Sequence, residues 1–579
     1  MSLRVVRRTP GVTAALAGEL HPVLARLYAA RGVGNAQQAS TALEQLLPVS
    51  SLDSIDAAVD LLLRHRGSDR SVLVIGDFDA DGATSTALLV RALRGWGYRQ
   101  VDFLVPNRFE FGYGLTPEIV ALASERRPSL IVTVDNGVSS HAGVAAARAL
   151  GIDVLVTDHH LPAAELPDAN VILNPNLQQS TFGSRALAGV GVAFYLAAAL
   201  HRRLRVAGES PGNPVPADLL DLVALGTVAD LVPLDANNRV LVSQGLRRIR
   251  AGRCVPGITA LLQLAGRSQS RLIAADLGFA VGPRLNAAGR LDDMSVGIRC
   301  LLAESPAEAS VHATRLDQLN VERRSIEARM QETAVAAVRH LDSRIGEGQR
   351  HGVCLFDASW HQGVVGLVAG RIKERLRRPV IAFADGGEGV LRGSARSVPG
   401  IHVRDVLDHV ATQHPGLIHK FGGHAMAAGL SIERDQLDVF ARAFDAEIAR
   451  WNAAGFGITD CVETDGELTV DEIALTTAEL LREAGPWGQG FPEPSFDGAF
   501  AISRTRTVGE RHLKMWVEHQ ASGRRFDAIA FNFFDSGAAP RNPPDSARLV
   551  YRLDVNEYSG ERRLQLLIDH VLPEAAPLC

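Results

Sequence analysis

The chain has 579 residues, a hydrophobic content of 46% and a formal net charge of −5. It is too long for one domain, and its length predicts three or four. The slightly acidic balance excludes a globally basic nucleic-acid binder, so any contact with nucleic acid must come from local basic patches. Its five cysteines are scattered without a CxxC pair. This pattern excludes a disulfide framework or a thiolate metal site and is typical of a reduced, cytoplasmic protein.

The first segment has a helical pattern. Leu, Val and Ala recur at spacings of three and four over residues 1–48, which predicts a small helical segment packed on the first domain. The segment has early arginines but no apolar signal region, and the chain nowhere reaches 18 uninterrupted apolar residues. We therefore expect no membrane association.

In residues 49–302, predicted strands and helices alternate at first, and helices then dominate. Within this region the stretch Val72–Gly82 stands out. Its first four residues are an apolar run, typical of a buried parallel strand. Asp77, Asp79 and Asp81 then occupy alternate positions, and a helix begins directly after Gly82. The acids thus lie at the carboxyl edge of a strand, where open α/β sheets bind ligands. Three carboxylates this close repel one another unless positive charge lies between them.

Three interpretations of this acidic stretch are possible. It matches the first half of an EF-hand loop, but the twelfth position is Leu88 instead of Glu, and the flank is a strand. It could also be a solvated acidic turn. The third interpretation, a catalytic divalent-metal site, is favoured because other predicted strand ends repeat the pattern.

Strands predicted at 130–134 and 153–157 also end in polar side chains, and a further acid follows an apolar helix. These residues are Asp135, Asp158, His159, His160 and Asp230. Oxygen ligands with one imidazole suit Mn²⁺ or Mg²⁺ better than Zn²⁺. The carboxylates suffice for two ions about 3.5–4 Å apart, which activate a water and stabilise both oxygens of an in-line phosphoryl displacement.

The remainder of the chain is predicted to form three further regions. A charged helix over residues 303–345 is expected to connect domains, and residues 346–454 form a second α/β domain. Residues 455–579 contain five short strands, which suggest a small OB-type barrel. Its aromatic side chains can stack on single-stranded bases, but we expect most of them to fill the barrel core.

Three polar motifs outside the acidic edge are candidates for contact with nucleic acid. Residues 283–291 are predicted to form a tight polar loop that contacts a phosphate backbone, with an ordinary helix cap as the alternative. Residues 420–425 predict a glycine-rich loop before a helix, which would bind an anion or serve only for packing. In residues 393–396, a serine and an arginine two positions apart would share one face of an extended segment. The candidate residues are Arg284, Asn286, Arg290, Gly422, Gly423, His424, Ser394 and Arg396.

Together these motifs resemble the DHH phosphoesterase superfamily. The Asp-His-His triplet alone is weak, whereas four acidic motifs in this order and at these intervals are specific. Further stretches resemble the single-strand-specific exonucleases of that superfamily, so the resemblance covers nearly the whole chain. These stretches are Asn107–Leu115, Pro283–Leu291, Gly393–Ser397 and Lys420–Gly429.

The resemblance implies a DHH domain of doubly wound parallel-sheet type, a linker helix, a DHH-associated domain and an OB-type barrel. Asp79 would hold one ion, Asp81 the other, and Asp135 would bridge them. His159 and Asp230 would complete the ligand shell of the second ion. Asp158 would orient a neighbouring ligand, and His160 would contact the scissile phosphate. Many DHH proteins have a histidine where this chain has Ile75, and Asp77 is expected to replace it as a ligand.

The resemblance also implies an activity: 5′-to-3′ hydrolysis of single-stranded DNA to 5′ mononucleotides with two Mn²⁺ or Mg²⁺ ions, in recombination and repair. Arg108 resembles the third donor, beside Ser394 and Arg396, of this family's pocket for a 5′ phosphate. A single-strand-binding protein and a helicase are the implied partners.

Two other functions remain open at this point. A DHH phosphodiesterase could act on short oligonucleotides or cyclic dinucleotides, but such chains are shorter and lack the barrel. A catalytically inactive scaffold could bind only DNA or a replication complex, although every expected acid is present.

Overall fold

The computed structural model describes residues 3–9, 11–67, 69–106, 114–345, 350–453, 461–536, 543–557 and 560–574. The chain divides into two compact units, one formed by residues 3–319 with 462–579 and the other by residues 320–461. The described part contains no helix that is both long and apolar enough to cross a membrane.

The N-terminal segment is not helical throughout, contrary to its sequence pattern. It consists of β1 (Arg4–Arg7), α1 (Pro22–Ala29) and α2 (Ala36–Ala39). Strand β1 pairs with the strand Cys461–Thr464, and Val5 packs on Val550 and Leu572. Local periodicity cannot indicate a pairing partner so far along the chain, which is why the strand was missed.

The predicted doubly wound domain is confirmed. In chain order its elements are α3 (Ile55–Arg64), β2 (Ser71–Gly76), α4 (Ala80–Gly95), β3 (Gln100–Leu104), α5 (Pro117–Ser124), β4 (Leu130–Val134), α6 (His141–Ala149), β5 (Asp153–Thr157), β6 (Val171–Leu173) and α7 (Gly189–Val206). The strands are all parallel and lie in the order β3-β2-β4-β5-β6.

Apolar layers cover both faces of this sheet, as expected for strands that read as continuous apolar runs. Val72 and Val74 of β2 face the larger layer, which includes α4 and α7. Leu73 and Ile75 point the other way and pack with apolar residues of α5 and α6. The alternation along β2 therefore places helices on both faces and leaves the carboxyl edge of the sheet open for the acids.

A helical region follows α7. Its helices are α8 (Leu220–Ala229), α9 (Ala236–Arg250), α10 (Pro256–Leu264), α11 (Ala274–Asp276), α12 (Gly282–Leu291), α13 (Ser295–Leu302) and α14 (Pro306–Ile345). Residues 283–291, predicted as a loop, belong to α12. Pro283 lies in the first turn of α12, where a missing backbone N–H costs nothing. A π-helical turn, Leu277–Val281, precedes it.

The second unit contains a mixed sheet and three helices in addition to part of α14. These elements are β7 (Val353–Phe356), α15 (Val365–Leu376), β8 (Val380–Asp385), β9 (Val390–Arg396), α16 (Val403–Gln413), β10 (Lys420–Gly423), β11 (Ala427–Glu433) and α17 (Leu437–Trp451). The strand order is β10-β11-β9-β8-β7. The glycine-rich stretch therefore does not precede a helix, because it forms β10 and pairs antiparallel with β11.

The C-terminal strands form the predicted OB-type barrel. The elements are β12 (Cys461–Thr464), α18 (Leu475–Glu483), β13 (Phe496–Val508), β14 (His512–His519), β15 (Arg525–Ala530), β16 (Ser546–Asn556) and β17 (Arg563–Leu572). Strands β13-β14-β15-β17-β16 close the barrel. Val23, Leu24 and Leu27 of α1 belong to its core, so the N-terminal segment packs on the barrel as well.

Candidate metal centre

The acidic edge is built by strands that end in register. Gly76 of β2 is opposite Val134 of β4, and Val134 is opposite Thr157 of β5. The next residue of each strand is therefore an acid at the same level: Asp77, Asp135 and Asp158. Because the three strands are neighbours, parallel pairing alone brings these side chains together.

Backbone amides at two helix starts orient the acids Asp79 and Asp81. Asp79 caps α4, since its Oδ1 accepts hydrogen bonds from the N–H groups of Asp81 and Gly82, both at 3.0 Å. The two oxygens of Asp81 accept from the N–H groups of Gly189 at 2.6 Å and Val190 at 2.9 Å, at the start of α7. The helix termini thus fix these carboxylates in position.

Glycine is required where α7 and α8 approach the acids. A Cβ atom at Gly189 would lie 2.7 Å from the Cβ of Asp135. A Cβ atom at Gly226 would lie 2.2 Å from Thr84 Oγ1 and 2.9 Å from Asp81 Oδ1. All three distances are too short for any real side chain, so the close packing of this site excludes larger residues.

Two positions at the centre have left-handed backbone conformations. Asp135 has φ +61°, as does Leu231, which follows Asp230. This region is uncommon for residues other than glycine, although Asp and Asn adopt it more readily than most. The strain at Leu231 is more unusual, and such outliers cluster at functional sites.

The two histidines lie among the carboxylates. His159 Nε2 is 3.1 Å from Asp135 Oδ1, 3.5 Å from Asp230 Oδ2 and 4.0 Å from Asp81 Oδ2. His160 Nδ1 is 2.7 Å from Asp158 Oδ1. One imidazole thus lies within the acid cluster, and the other is held by Asp158, two residues before it in sequence.

Asp158 organises the loop that carries the histidines. Its Oδ1 accepts from the backbone N–H groups of His159 at 2.7 Å and His160 at 3.1 Å, and its Oδ2 accepts from Val138 N at 2.9 Å. Burial opposes ionisation, but the hydrogen bond from His160 and the two imidazoles lower the pKa of Asp158 below its usual range. This arrangement fits the orienting role that the resemblance implies.

Three asparagines complete the edge and were missed in the sequence. Asn136 Nδ2 donates to Ile75 O at 3.1 Å and Val134 O at 2.8 Å, which ties β2 to β4. The side chains of Asn174 and Asn176 donate to the carbonyls of His160 at 2.9 Å and His159 at 2.6 Å. Their position just beyond the end of β6, at the same sheet edge, was the available signal.

The cluster concentrates negative charge in a buried place. Burial and the neighbouring Asp79 raise the pKa of Asp81 to about 7. Burial and nearby carboxylates also raise the pKa of Asp135 and of Asp230 well above the usual value. A bound cation would offset this repulsion, so the electrostatics of these residues fit a divalent metal.

The ligand atoms form three overlapping groups within the described residues, and in each group all of them lie within 4.8 Å of one another. The groups are Asp77 with Asp79 and Asp135, Asp81 with His159 and Asp230, and Asp135 with His159 and His160. Oxygen donors with one or two imidazoles suit Mn²⁺ or Mg²⁺. Ile75 faces an apolar layer, whereas Asp77 belongs to the first group.

The predicted DNA-contacting residues of α12 make contacts within the protein. Asn286 Oδ1 accepts from Ala80 N at 2.7 Å, between the acids Asp79 and Asp81. Arg284 Nε donates to Asp317 Oδ1 at 2.9 Å. Arg290 is half-buried on the same helix, and Arg108 lies outside the described residues. Asn286 therefore positions the acidic turn, a role that its sequence context did not suggest.

Ser394 and Arg396 lie on the same face of β9, as their spacing predicted. Arg396 Nη1 donates to Ser394 Oγ at 3.0 Å, and burial lowers the pKa of the Arg396 guanidinium. Gly366, in the first turn of α15, lies against both side chains, because a Cβ atom there would be 2.8 Å from Arg396 Nη2 and from Ser394 Oγ. Gly422, Gly423 and His424 lie at the end of β10 and in the turn after it.

Comparison with protein families covers most of the chain. Residues 71–227 match the DHH family N-terminal domain, residues 349–450 match the DHHA1 domain, and residues 464–570 match the RecJ OB domain. The Ser394–Arg396 pair, the barrel and most of the acid cluster lie within these ranges. Of the acid cluster, only Asp230 lies outside them.

Named relatives match over their full length. The chain is 54% identical to the single-stranded-DNA-specific exonuclease RecJ of Dickeya dadantii, over 98% of this chain and 99% of that protein. It is 52% identical to the Escherichia coli protein of the same name, over 99% of both chains.

A solved structure shows the same fold. The crystal structure of RecJ from Thermus thermophilus in complex with Mn²⁺ superposes with a TM-score of 0.80 at 30% identity, covering 99% of this chain and 80% of that one. A Mg²⁺ complex of that protein superposes with a TM-score of 0.76 at 28% identity, covering 99% and 79%. By its domains, its full-length relatives and its fold, the chain belongs to the RecJ family of DHH proteins.

Proposed function

We propose that this chain is an exonuclease that hydrolyses single-stranded DNA in the 5′-to-3′ direction and releases 5′ mononucleotides during recombination and repair. The observation that carries the proposal is the convergence of five acids and two histidines in three overlapping ligand groups at one sheet edge. Members of its family are named single-stranded-DNA-specific exonucleases, and a relative crystallises with Mn²⁺ or Mg²⁺.

The ligand groups suggest how two Mn²⁺ or Mg²⁺ ions would be held. Asp77 and Asp79 would serve one ion, and Asp81, His159 and Asp230 the other. Asp135 would bridge them, because it belongs to the group of the first ion and lies 3.1 Å from His159 of the second. When bound, two such ions lower the pKa of a water and offset the charge that develops on the phosphoryl oxygens.

The protein itself supplies the positioning. Although burial lowers it, the pKa of the His160 imidazole is raised to about 9 by the hydrogen bond from its Nδ1–H to Asp158 and by the charge of Asp158. In the protonated ring, Nε2–H would donate to an oxygen of the scissile phosphate. The helix starts that orient Asp79 and Asp81 keep the ligands in place before substrate binds. Such preorganisation avoids the cost of rearranging charged groups during the reaction.

The Ser394–Arg396 pair supports recognition of a 5′ phosphate. Arg396 is the more informative residue, because no carboxylate pairs with its half-buried guanidinium among the residues that the structure describes. A terminal phosphate would supply the missing negative charge through a bidentate contact, with Ser394 as a further donor.

The proposal extends to location and partners. The four cysteines that the structure describes are free, which fits a reducing cytoplasm. A closed barrel with an exposed arginine beside an aromatic ring is suited to hold single strands. A single-strand-binding protein and a helicase would present such strands to the enzyme.

The experiment uses purified full-length protein with single-stranded oligonucleotides labelled at either the 5′ or the 3′ end. With Mn²⁺, we expect a 5′ label to be released at once as mononucleotide, whereas a 3′ label shortens stepwise. EDTA should abolish both reactions, and a blunt duplex should resist cleavage. Cleavage that starts at the 3′ end would refute the polarity, and cleavage only of dinucleotides would favour a small-substrate phosphodiesterase.

A further inference from the structure

A cavity of about 530 Å³ adjoins the metal centre. Its wall includes Ala229 and Leu231, which flank the proposed ligand Asp230, and Asn286, which bonds to the acidic turn. From there the cavity reaches Leu553 and Val555 of barrel strand β16. It therefore runs from the reaction centre to the barrel within one compact unit, and its volume is in the usual range for sites that enclose organic ligands, about 300–1,000 Å³.

One wall of this cavity exposes large apolar side chains. Phe279 is 83% exposed, and Leu231, in the turn after α8, is 68% exposed. Phe279 is in the π-helical turn Leu277–Val281, a type of irregularity that is frequent at functional sites. An aromatic ring held out in this way contributes little to the core and is available to contact a ligand in the cavity.

The charges around the cavity favour a ligand that is both flat and anionic. Two arginines, Arg250 and Arg482, and two acids, Glu493 and Asp554, line it. Glu493 is paired with Arg552 at 2.7 Å, and Arg482 lies 3.8 Å from Glu557. Arg250 is held in place, because its Nε donates to Leu272 O at 2.7 Å. Apolar side chains beside the guanidinium of Arg250 match the stacked bases and a phosphate of a single strand.

We propose that this cavity binds one or two bases of the DNA strand on the 3′ side of the cleaved phosphodiester, with Phe279 as the stacking platform. The inference rests on the proposed exonuclease function and adds a residue that determines affinity for longer strands. Because base stacking is tolerant of sequence, Phe279 would retain the strand during successive cleavages without selecting a base.

Binding is tested separately from cleavage. In EDTA, the affinity of full-length protein for a 5′-phosphorylated 12-mer is measured by fluorescence anisotropy for the wild type and for Phe279→Ala, Phe279→Leu and Phe279→Trp. Stacking predicts a loss of about tenfold for the alanine and leucine variants and near wild-type affinity for tryptophan, since leucine keeps the apolar volume but has no π-face. Equal affinity of all four proteins would overturn the proposal.

A crosslinking scan locates the base. Single 5-iododeoxyuridine substitutions along the same strand should crosslink to the peptide containing Phe279 at one or two adjacent positions, and to the equivalent peptide of Phe279→Trp. Crosslinks elsewhere only would overturn the proposal and favour a protein partner for this cavity.

Cleavage with Mn²⁺ separates this inference from the proposed function. Phe279→Ala should raise KM for the 12-mer about tenfold while kcat, and the cleavage of a matched 12-mer whose second and third nucleotides are abasic, stay unchanged. An equal loss on both substrates would mean that Phe279 only supports the metal centre and would overturn the proposal. No cleavage of either substrate by wild-type protein would instead refute the exonuclease function, independently of the binding results.

Discussion

The metal centre and the Ser394–Arg396 pair are opposite solutions to the burial of charge. At the metal centre, carboxylates gather where burial raises their pKa values, Asp81 to about 7. In the other compact unit, one half-buried guanidinium lies beside a hydroxyl, and burial lowers its pKa. Each arrangement is unfavourable alone, because a buried charge without a counter-charge costs folding free energy.

The comparison teaches that each site is shaped for a ligand of the opposite sign. The first fits divalent cations and the second fits a phosphate. The backbone fixes the charged groups of both sites. The start of α7 orients Asp81, and strand β9 places Arg396 beside Ser394. If burial sets the strength of these interactions, the effect of a mutation should fall as the exposure of the charged group rises.

The largest effect is expected for Asp135→Asn. Loss of the proposed bridging carboxylate would leave two cations without their shared ligand, so cleavage of single-stranded DNA should fall by more than the ~100-fold that partners outside the ligand shell typically cause. Asparagine is chosen because it tolerates φ +61° at this position. The measurements are kcat with Mn²⁺ and the affinity for Mn²⁺ by calorimetry.

The stability of the same variant provides the control. In the metal-free protein, burial and Asp81 raise the pKa of Asp135 above its unfolded value, so its ionised form destabilises the fold at neutral pH. Metal-free Asp135→Asn should therefore unfold at the same or a higher temperature than the wild type. Near wild-type turnover would contradict the two-ion assignment, and a much lower melting temperature would show a structural role instead.

A smaller effect is expected for Arg396→Ala. If Arg396 binds the terminal phosphate, kcat/KM should fall more for 5′-phosphorylated strands than for 5′-hydroxyl strands. Loss of a charged hydrogen bond of about 1.5–3 kcal/mol corresponds to roughly 10- to 100-fold. Arg392→Ala is the matched control, because Arg392 lies on the same strand face but is exposed and donates to Gln362. An equal fall on both substrates would mean that Arg396 contacts the chain generally.

The metal centre could be predicted from the sequence more completely than any other site. An apolar strand followed by an acid is a local pattern, and parallel pairing brings such strand ends to one edge. Asp77, Asp135 and Asp158 could therefore be grouped without coordinates. The barrel and the long helix α14 were also predictable, because alternation and helical periodicity are local signals.

The errors in prediction come from contacts that are distant in sequence. Strand β1 depends on residues 461–464, and the glycine-rich stretch becomes a strand through its pairing with β11. The contact of Asn286 with DNA stays a prediction, whereas its bond to Ala80, which is far from it in sequence, could not be predicted from a local pattern. The cavity beside Asp230 joins α8 to the barrel, and no local pattern indicates that two such segments share a wall.

The smallest effect is expected on the barrel surface, where solvent screens the charge. Arg504 is exposed and lies 5.0 Å from the ring centre of Trp516, and no carboxylate pairs with it in the described part of the barrel. Removal of the barrel would be a poor test, because Val23 and Leu24 of the N-terminal segment belong to its core. A point variant, Arg504→Ala, avoids that damage.

Loss of one phosphate contact from a single strand should lower the slope of log K against log salt by about 0.7, which amounts to roughly fourfold weaker binding at 0.15 M salt. Arg525→Ala is the control, since its Nε is already paired with Glu518 at 3.0 Å and should leave the slope unchanged. The measurement is a salt titration of binding to a single-stranded 20-mer in EDTA. Equal slopes for the wild type and Arg504→Ala would mean that this face of the barrel does not bind the phosphate backbone, and the role of burial would then rest on Asp135 and Arg396 alone.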